Sequence, residues 1–228
     1  MCAKVKFGMM VVDARGKLGG QVFSKNRSGS YIRTKVTPSN PNTSFQAAAR
    51  ALLSALSSAW RGLTAAQISA WNAAVDSFTG TNVFGDSARK TGKNLYTSLN
   101  ANLDSIGVAA ISEPPLPVAV GEVSITGLSM DTGPLLDYTT NAFPATETMQ
   151  VWATPGLSPG VSNPGSKYRL IATHVGTGIA QALDDGAAYA ARFGNPVEGQ
   201  KVFVKVVGVN GTTGQKGIAN VYDTIVLA

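Results

Sequence analysis

The sequence has little of the chemistry that most catalytic and metal sites need. It contains one cysteine, Cys2, and one histidine, His174, among 228 residues. A single thiol excludes an intramolecular disulfide, and one cysteine with one histidine cannot supply the ligands of a nitrogen- or sulfur-rich zinc site. We therefore expect no metal site, no cofactor and no enzymatic activity.

Long hydrophobic runs are also absent. No stretch reaches the roughly 18 continuous apolar residues that a membrane span needs. The first residues lack the apolar segment of a secretory signal peptide. The sequence predicts a protein made in a reducing cytosol, without a membrane partner.

Charged residues are few, at 14%, and they are unevenly placed. Residues 1–61 contain ten basic side chains and one acid, Asp13, whereas residues 62–228 contain nine basic and twelve acidic ones. This distribution indicates a basic segment that meets something negative, either nucleic acid or an acidic protein surface. The alternative is a solvated strand pair whose Lys and Arg prevent aggregation at its edges.

Two short helices are predicted between Thr43 and Phe78. Each begins with a Thr-x-x-Gln capping box, at Thr43 and at Thr64. Their apolar faces have helical spacing and are expected to bury each other as an αα-hairpin: Leu52, Leu53, Leu56 and Trp60 in the first, and Ile68, Trp71, Val75 and Phe78 in the second. A third helix is predicted over residues 93–106, with a stripe of Leu95, Leu99, Leu103 and Ile106.

The basic segment reads as a β-hairpin. Residues 21–24 and 30–36 alternate as strands, and residues 25–29 supply a turn. Residues 1–12 are predicted as a short strand or extended arm, residues 15–20 as a flexible glycine-rich turn, and Pro38 and Pro41 hold the following residues extended. The candidate docking residues are the basic and aromatic side chains of this region and the first helix: Lys25, Arg27, Tyr31, Arg33, Lys35, Arg50 and Arg61.

The proline-rich residues 113–117 predict a stiff linker and a domain boundary. Short alternating runs follow, with turn signals between them, which indicates an immunoglobulin-like β-sandwich. The predicted fold class is therefore α+β, with an N-terminal β-hairpin and a small helical bundle before an all-β sandwich. The predicted divisions are a basic arm and hairpin (1–42), a helical domain (43–112), the linker (113–117) and the sandwich (118–228).

Within the sandwich we expect Trp152, Tyr168, Leu170 and Phe203 in the core. A closing hairpin is predicted to set Val202, Val204 and Val206 against Val221, Asp223, Ile225 and Leu227.

The segment Gly156–Gly160 matches the Gly-x-Ser-x-Gly nucleophile pattern by letter. No helix is predicted after it, as the nucleophile elbow requires. His174, the sole candidate base, is expected at a strand end near the core.

Three separated motifs in the first part of the chain carry a family resemblance. They are Gly19-Gly20-x-Val22-Phe23-Ser24-x-Asn26-Arg27-x-Gly29-x-Tyr31-x-Arg33, then Pro38-x-Asn40-Pro41-x-Thr43-x-x-Gln46, and Trp60-x-x-Leu63-Thr64-x-x-Gln67-x-x-x-Trp71. Together they resemble an uncharacterised family encoded by tailed bacteriophages and prophages, over about the first 110 residues. The second domain resembles fibronectin type III and immunoglobulin-like domains.

The resemblance implies a virion structural protein: a capsid decoration protein, a head-fibre base or a head–tail connector component. Its partners would be capsid, portal or tail subunits, and it would be present in many copies or as a homo-oligomer. An alternative is a nucleic-acid-binding module that uses the basic hairpin. A third hypothesis, an enzyme acting on cell-surface sugar, requires a carboxylate pair in a cleft of the second domain.

Overall fold

The computed structural model describes residues 2–6, 8, 13–27, 29–37, 42–78, 80–81, 84–133 and 135–228. Over these residues the chain is mixed α+β, as the sequence predicts. It forms two compact units, Met1–Thr97 and Ser98–Ala228. The expectations for residues 9–12 and for Pro38 and Pro41 lie outside the described residues.

The basic segment forms a four-stranded antiparallel sheet, which extends the predicted hairpin. Its strands are β1 (Cys2–Lys4), β2 (Gly16–Leu18), β3 (Gln21–Asn26) and β4 (Gly29–Thr34), in the order β1-β4-β3-β2. The hairpin is β3–β4. The predicted glycine-rich turn was wrong in part, because Gly16–Leu18 pairs with β3 and only Gly19 and Gly20 turn. A two-stranded hairpin is marginal alone, and here each of its edges pairs with a short strand.

Two helices follow with a tight junction at Leu63 and Thr64: α1 (Ser44–Gly62) and α2 (Ala65–Ala74), the latter continuing as a 3₁₀ turn over Val75–Phe78. The capping box at Thr64 is complete, because Gln67 N donates to Thr64 Oγ1 and Thr64 N donates to Gln67 Oε1. At Thr43 only half of the box forms. Gln46 N donates to Thr43 Oγ1 at 3.3 Å, but Gln46 Oε1 is buried without a partner in the described residues.

Aromatic rings form the core of the first unit. The short strands β5 (Gly80–Thr81) and β6 (Ser87–Ala88) precede α3 (Gly92–Asp104). Tyr96 of α3 contacts both tryptophans, since the ring centroids of Trp60 and Trp71 each lie 5.3 Å from its own. The predicted stripe is confirmed at Leu95, Leu99 and Leu103, which are all buried. Trp60 of α1 and Trp71 of α2 therefore both pack on α3. The predicted apolar face of α1 is wrong at Leu53, which is 53% exposed.

The second unit begins inside α3, upstream of the predicted boundary at residues 113–117. Asn100 exchanges two hydrogen bonds with the backbone of Ile111, and Asn102 Nδ2 donates to Gly214 O at 2.8 Å. Val118 N, just after the linker, donates to Gln215 Oε1 at 2.8 Å. The proline-rich segment forms neither helix nor strand, and residues on both sides of it are hydrogen-bonded to folded elements. The division into compact units therefore falls between Thr97 and Ser98 and not at residues 113–117.

Two antiparallel sheets enclose one hydrophobic core in this unit. The first, in the order β11-β8-β7, contains β7 (Ile125–Met130), β8 (Leu136–Thr140) and β11 (Ala182–Asp184). The second, in the order β10-β9-β12-β13, contains β9 (Glu147–Ala153), β10 (Arg169–Val175), β12 (Lys201–Asn210) and β13 (Lys216–Ile225). A short helix, α4 (Gly186–Phe193), buries Tyr189.

The predicted core of this unit was wrong for three residues. Trp152, Tyr168 and Leu170 are only half-buried, and the Lys205 ammonium lies 5.0 Å from the centroid of the Trp152 ring and 4.7 Å from that of the Tyr168 ring. Phe203 is buried but pairs with Asp223, outside the main cluster. Inward positions belong instead to Val151, Ala153, Val202, Val204 and Val206.

Candidate functional site

One face of the N-terminal sheet gathers cationic side chains from three strands. Cross-strand partners share a face of a sheet. Lys17, Val22 and Arg33 form one row across β2, β3 and β4, and Ser24, Tyr31 and Lys4 form the next across β3, β4 and β1. We call Lys4, Lys17, Tyr31 and Arg33 the basic face. None of the four strands contains an acidic residue, so no carboxylate within the sheet offsets this charge.

The lysine and the aromatic ring on this face are in contact. Lys4 Nζ lies 6.0 Å from the centroid of the Tyr31 ring and donates to Asn26 Oδ1 at 3.2 Å. A cation above an aromatic ring is attracted by the electron-rich face of that ring. The contact holds the Lys4 ammonium and the half-buried Tyr31 together on the surface of the sheet.

The sheet that carries the basic face is poorly buried. No residue of β2, β3 or β4 is buried, and Val22, Phe23 and Ile32 are only half-covered. A sheet ordinarily buries one face against another layer. Within the described residues, this sheet therefore retains partly open apolar surface on both sides, with Val22 beside the cations and Phe23 and Ile32 on the opposite face.

The other predicted docking residues lie elsewhere. Lys25 pairs with Ser30 and lies on the face opposite Tyr31 and Arg33. Lys35 follows β4, where its amide still donates to Gly20 O at 2.8 Å. Arg50 and Arg61 are on α1, where their guanidinium groups donate to Asn42 Oδ1 and Ser58 Oγ.

Arg27 lies in the turn between β3 and β4 and lines a cavity of about 300 Å³. Arg89, Lys90, Asn72 and Gly92 line the same cavity. Sequence reasoning missed Arg89 and Lys90. Their signal was a basic pair directly before Thr91, whose hydroxyl accepts from Asn94 N at the start of α3.

The only histidine belongs to a buried polar cluster. His174 Nε2 lies 3.0 Å from both carboxylate oxygens of Asp185, which is buried, and the Tyr138 hydroxyl donates to Asp185 Oδ2. Burial, and then the Asp185 charge, raise the pKa of Tyr138. The cluster joins β8, β10 and the start of α4. This arrangement serves to hold those elements together, since the histidine's Nε2 is engaged by Asp185.

The Gly156–Gly160 segment is not an elbow between a strand and a helix. Leu157 forms an isolated antiparallel bridge with Lys201, and residues 155–168 contain no helix. Serine activation of the hydrolase type requires that elbow. The geometry gives Ser158 no such context.

Acidic groups do meet at one place in the second unit. Asp137 and Asp184 are cross-strand partners and line a cavity of about 380 Å³. Asp184 Oδ1 accepts hydrogen bonds from the backbone of Leu136 and Gly186, which gives this carboxylate a structural role. Among the described residues, no three His, Cys, Asp or Glu side chains are grouped to hold a metal ion.

In the part of the chain that the structure describes, no helix combines the length and apolar composition needed to cross a membrane.

No family model and no curated protein matches this chain. Among solved structures, the GH3 beta-glucosidase of Bifidobacterium adolescentis is similar at 20% sequence identity, with a TM-score of 0.23. The similarity covers 50% of this chain and 19% of the beta-glucosidase chain. A similarity this low carries no conclusion about fold or function, and the resemblance to phage proteins stays a prediction.

Proposed function

We propose that this chain is a non-enzymatic structural protein of a tailed-bacteriophage virion, which docks on an acidic surface of a capsid, portal or tail subunit through its basic face. The roles that fit are capsid decoration, a head-fibre base and a connector component. The observation that carries the proposal is the basic face itself, where Lys4, Lys17 and Arg33 share one side of a sheet without acidic residues.

The low burial of that sheet supports docking. A partner on the basic face would cover the half-exposed Val22 together with the cations, and one on the opposite face would cover the half-exposed Phe23 and Ile32. Cations at a protein interface steer association and select an acidic partner. Many copies on one particle would add their separate contacts into high avidity.

The second unit suits the role of a projecting or contact module, and we propose that it is an immunoglobulin- or fibronectin-type-III-like sandwich. Its seven strands divide into sheets of three and four, and the chain changes sheet between β8 and β9, β10 and β11, and β11 and β12. Such crossings are typical of Greek-key sandwiches. Fold alone does not assign a function, so this part of the proposal concerns architecture.

The first test is quantitative mass spectrometry of purified particles of a phage that encodes this chain. The chain should be present in many copies per particle. Its absence from particles that package DNA and infect normally would reject the virion role.

A second test addresses the basic face. Lys17→Glu and Arg33→Glu, made singly, should each lower the number of copies per particle by about tenfold, because like charges at an interface repel. Lys167→Glu, an exposed lysine of the second unit, is the matched control and should be incorporated normally. Equal incorporation of all three variants would rule out docking through this face.

A nucleic-acid-binding module is the second candidate. It is favoured by Tyr31, which is half-buried and lies beside Lys4 and Arg33, since an aromatic ring among cations can stack on a base while the cations meet phosphates. Binding to nonspecific DNA should weaken steeply as salt rises. Binding to purified virion subunits in the absence of nucleic acid would favour the first candidate instead.

A further inference from the structure

We propose that the cavity between the β3–β4 turn and the start of α3 binds a phosphate group. This inference is independent of virion docking, because it uses Arg27, Arg89 and Lys90 and none of the residues of the basic face. The cavity, of about 300 Å³, is at the small end of ligand-binding cavities.

Three cations from two separate segments of the first unit line this cavity. Arg27 comes from the turn of the hairpin, and Arg89 and Lys90 from the segment that leads into α3. Asp76 holds Arg89 in a two-point pair, with Nε 2.7 Å from Oδ1 and Nη2 3.2 Å from Oδ2. Arg27 and Lys90 have no ion pair or hydrogen bond with any other described residue. Arg27, Arg89 and Lys90 together with the Asp76 carboxylate therefore give the cavity a net positive charge.

Backbone donors add to these side chains. Thr91 caps α3 by accepting from Asn94 N at 3.1 Å, and Leu95 N donates to Thr91 O. The amides of Gly92 and Lys93 come before these in the first turn, where helical amides lack an acceptor within the helix. The positive end of the helix dipole reinforces the attraction for an anion.

Gly92 is needed at this position because α3 starts directly against α2. A Cβ at Gly92 would lie 2.4 Å from Asn72 Oδ1 and 2.9 Å from Asn72 N. The close approach sets the Asn72 side chain and the first amides of α3 on one cavity wall. The site is therefore built from the packing of two helices together with the hairpin turn.

A phosphate group matches these donors better than a carboxylate does. It carries up to two negative charges and three acceptor oxygens, which can meet Arg27, Lys90 and the helix amides from different directions. A carboxylate offers two oxygens in one plane. The phosphate could belong to a nucleic-acid backbone or to a free phosphate or nucleotide, and the experiment below separates these sources.

The test uses the full chain and three probes: inorganic phosphate, ATP and a short fluorescein-labelled single-stranded DNA. Amide NMR should show the Gly92 and Lys93 signals moving on addition of at least one probe. DNA binding measured by anisotropy, with displacement by inorganic phosphate, would indicate a nucleic-acid source. Shifts with phosphate or ATP but no DNA binding would indicate a free phosphate ligand.

Charge variants make the assignment specific. Arg27→Glu and Lys90→Glu should each weaken binding of the responding probe by about tenfold or more, because each loses a charge-assisted contact and gains a repulsive one. Lys25→Glu, two residues from Arg27 and not on the cavity wall, is the matched control. Thermal unfolding of each variant checks folding. Unmoved Gly92 and Lys93 signals with every probe, or equal weakening by Lys25→Glu, would overturn the proposal.

Discussion

At the scale of single residues, two buried tyrosines of the second unit differ in one respect. The Tyr138 hydroxyl donates to the buried Asp185 carboxylate, whereas the Tyr189 hydroxyl is buried without a partner in the described residues. A buried hydroxyl that donates to a charged group stabilises the fold. A buried hydroxyl without a partner destabilises it, because the hydroxyl has lost its hydrogen bonds to water and gained none in the protein. The same substitution at the two sites should therefore have different effects.

Tyr138→Phe should lower the free energy of unfolding by about 1.5–3 kcal/mol, because Asp185 loses a donor while it stays buried. Tyr189→Phe removes no hydrogen bond and should leave stability unchanged or raise it by about 1 kcal/mol. Denaturant unfolding at neutral pH measures both. Equal changes in the free energy of unfolding for the two variants would show that the hydrogen bond to Asp185 does not distinguish the two hydroxyls.

Alkaline pH should destabilise the second unit through the same residues. Burial raises the pKa of Tyr189 to about 12, and burial with Asp185 raises that of Tyr138. An unfolded tyrosine ionises near pH 10, so above that pH the unfolded chain loses protons that the folded chain keeps. The stabilising contribution of the protonated tyrosine is thus complete below about pH 10, and it is lost as pH rises toward 12.

The Tyr189 share of this loss should be on the order of 2–3 kcal/mol at about pH 12. Denaturant unfolding of the wild type and of Tyr189→Phe across this range provides the measurement. The variant should show a shallower decline. Identical slopes would mean that Tyr189 ionises normally in the folded chain.

At the scale of elements, the end of α3 is packed into the second unit. Gly214, in the loop between β12 and β13, approaches the backbone of α3 so closely that a Cβ there would lie 2.3 Å from Leu99 O. Its φ of +71° also favours glycine. Asn102 donates to the carbonyl of the same glycine. Gly214 therefore holds the end of α3 through a close backbone approach and through a hydrogen bond.

Gly214→Ala should destabilise the second unit by about 1–3 kcal/mol more than Gly165→Ala does. Gly165 is the matched control, because its φ of +59° is similar but nothing lies within 4 Å of its Cβ position. Hydrogen exchange of the last amides of α3 should quicken only in Gly214→Ala. Equal effects of the two variants would mean that backbone strain alone is responsible.

At the scale of the whole molecule, the two units differ in what stabilises them. The second has a core shared by two sheets, whereas the first buries its helices around Trp71 and Tyr96 and leaves the sheet residues of β2–β4 unburied. The second unit also includes the end of α3. A fragment cut at the proline-rich linker would lose part of its own structure.

A fragment of residues 92–228 should therefore be more stable than one of residues 118–228 by about 3 kcal/mol. The shorter fragment loses the hydrogen bonds of Asn102 to Gly214 and of Gln150 to Ser105, and the cover over Gly214, each worth about 1 kcal/mol. A fragment of residues 108–228, which keeps the linker without α3, should resemble the shorter one. Equal denaturation midpoints for 92–228 and 118–228 would contradict this unit boundary.

Local pattern predicted single elements well and their pairing less well. The stripe of α3 and the strands β3 and β4 follow from periodicity within one segment. The β12–β13 hairpin was predicted one residue out of register: Val204 pairs with Tyr222, and Val221 pairs with Lys205 on the opposite face. Register shifts between Val207 and Val209, and between Leu170 and Ala172 in β10, account for such errors, since one extra residue reverses every later side chain.

Residue order alone was enough to place the positive charge in the first part of the chain and to define the helices, because charge counts and helical spacing are properties of contiguous residues. Tertiary structure decided which cations act together: Lys17 and Arg33 share a sheet face, while Arg27 joins Arg89 and Lys90 at a cavity. It also decided that the second unit begins within α3. These outcomes depend on strand register and on contacts between distant segments, which local sequence patterns do not encode.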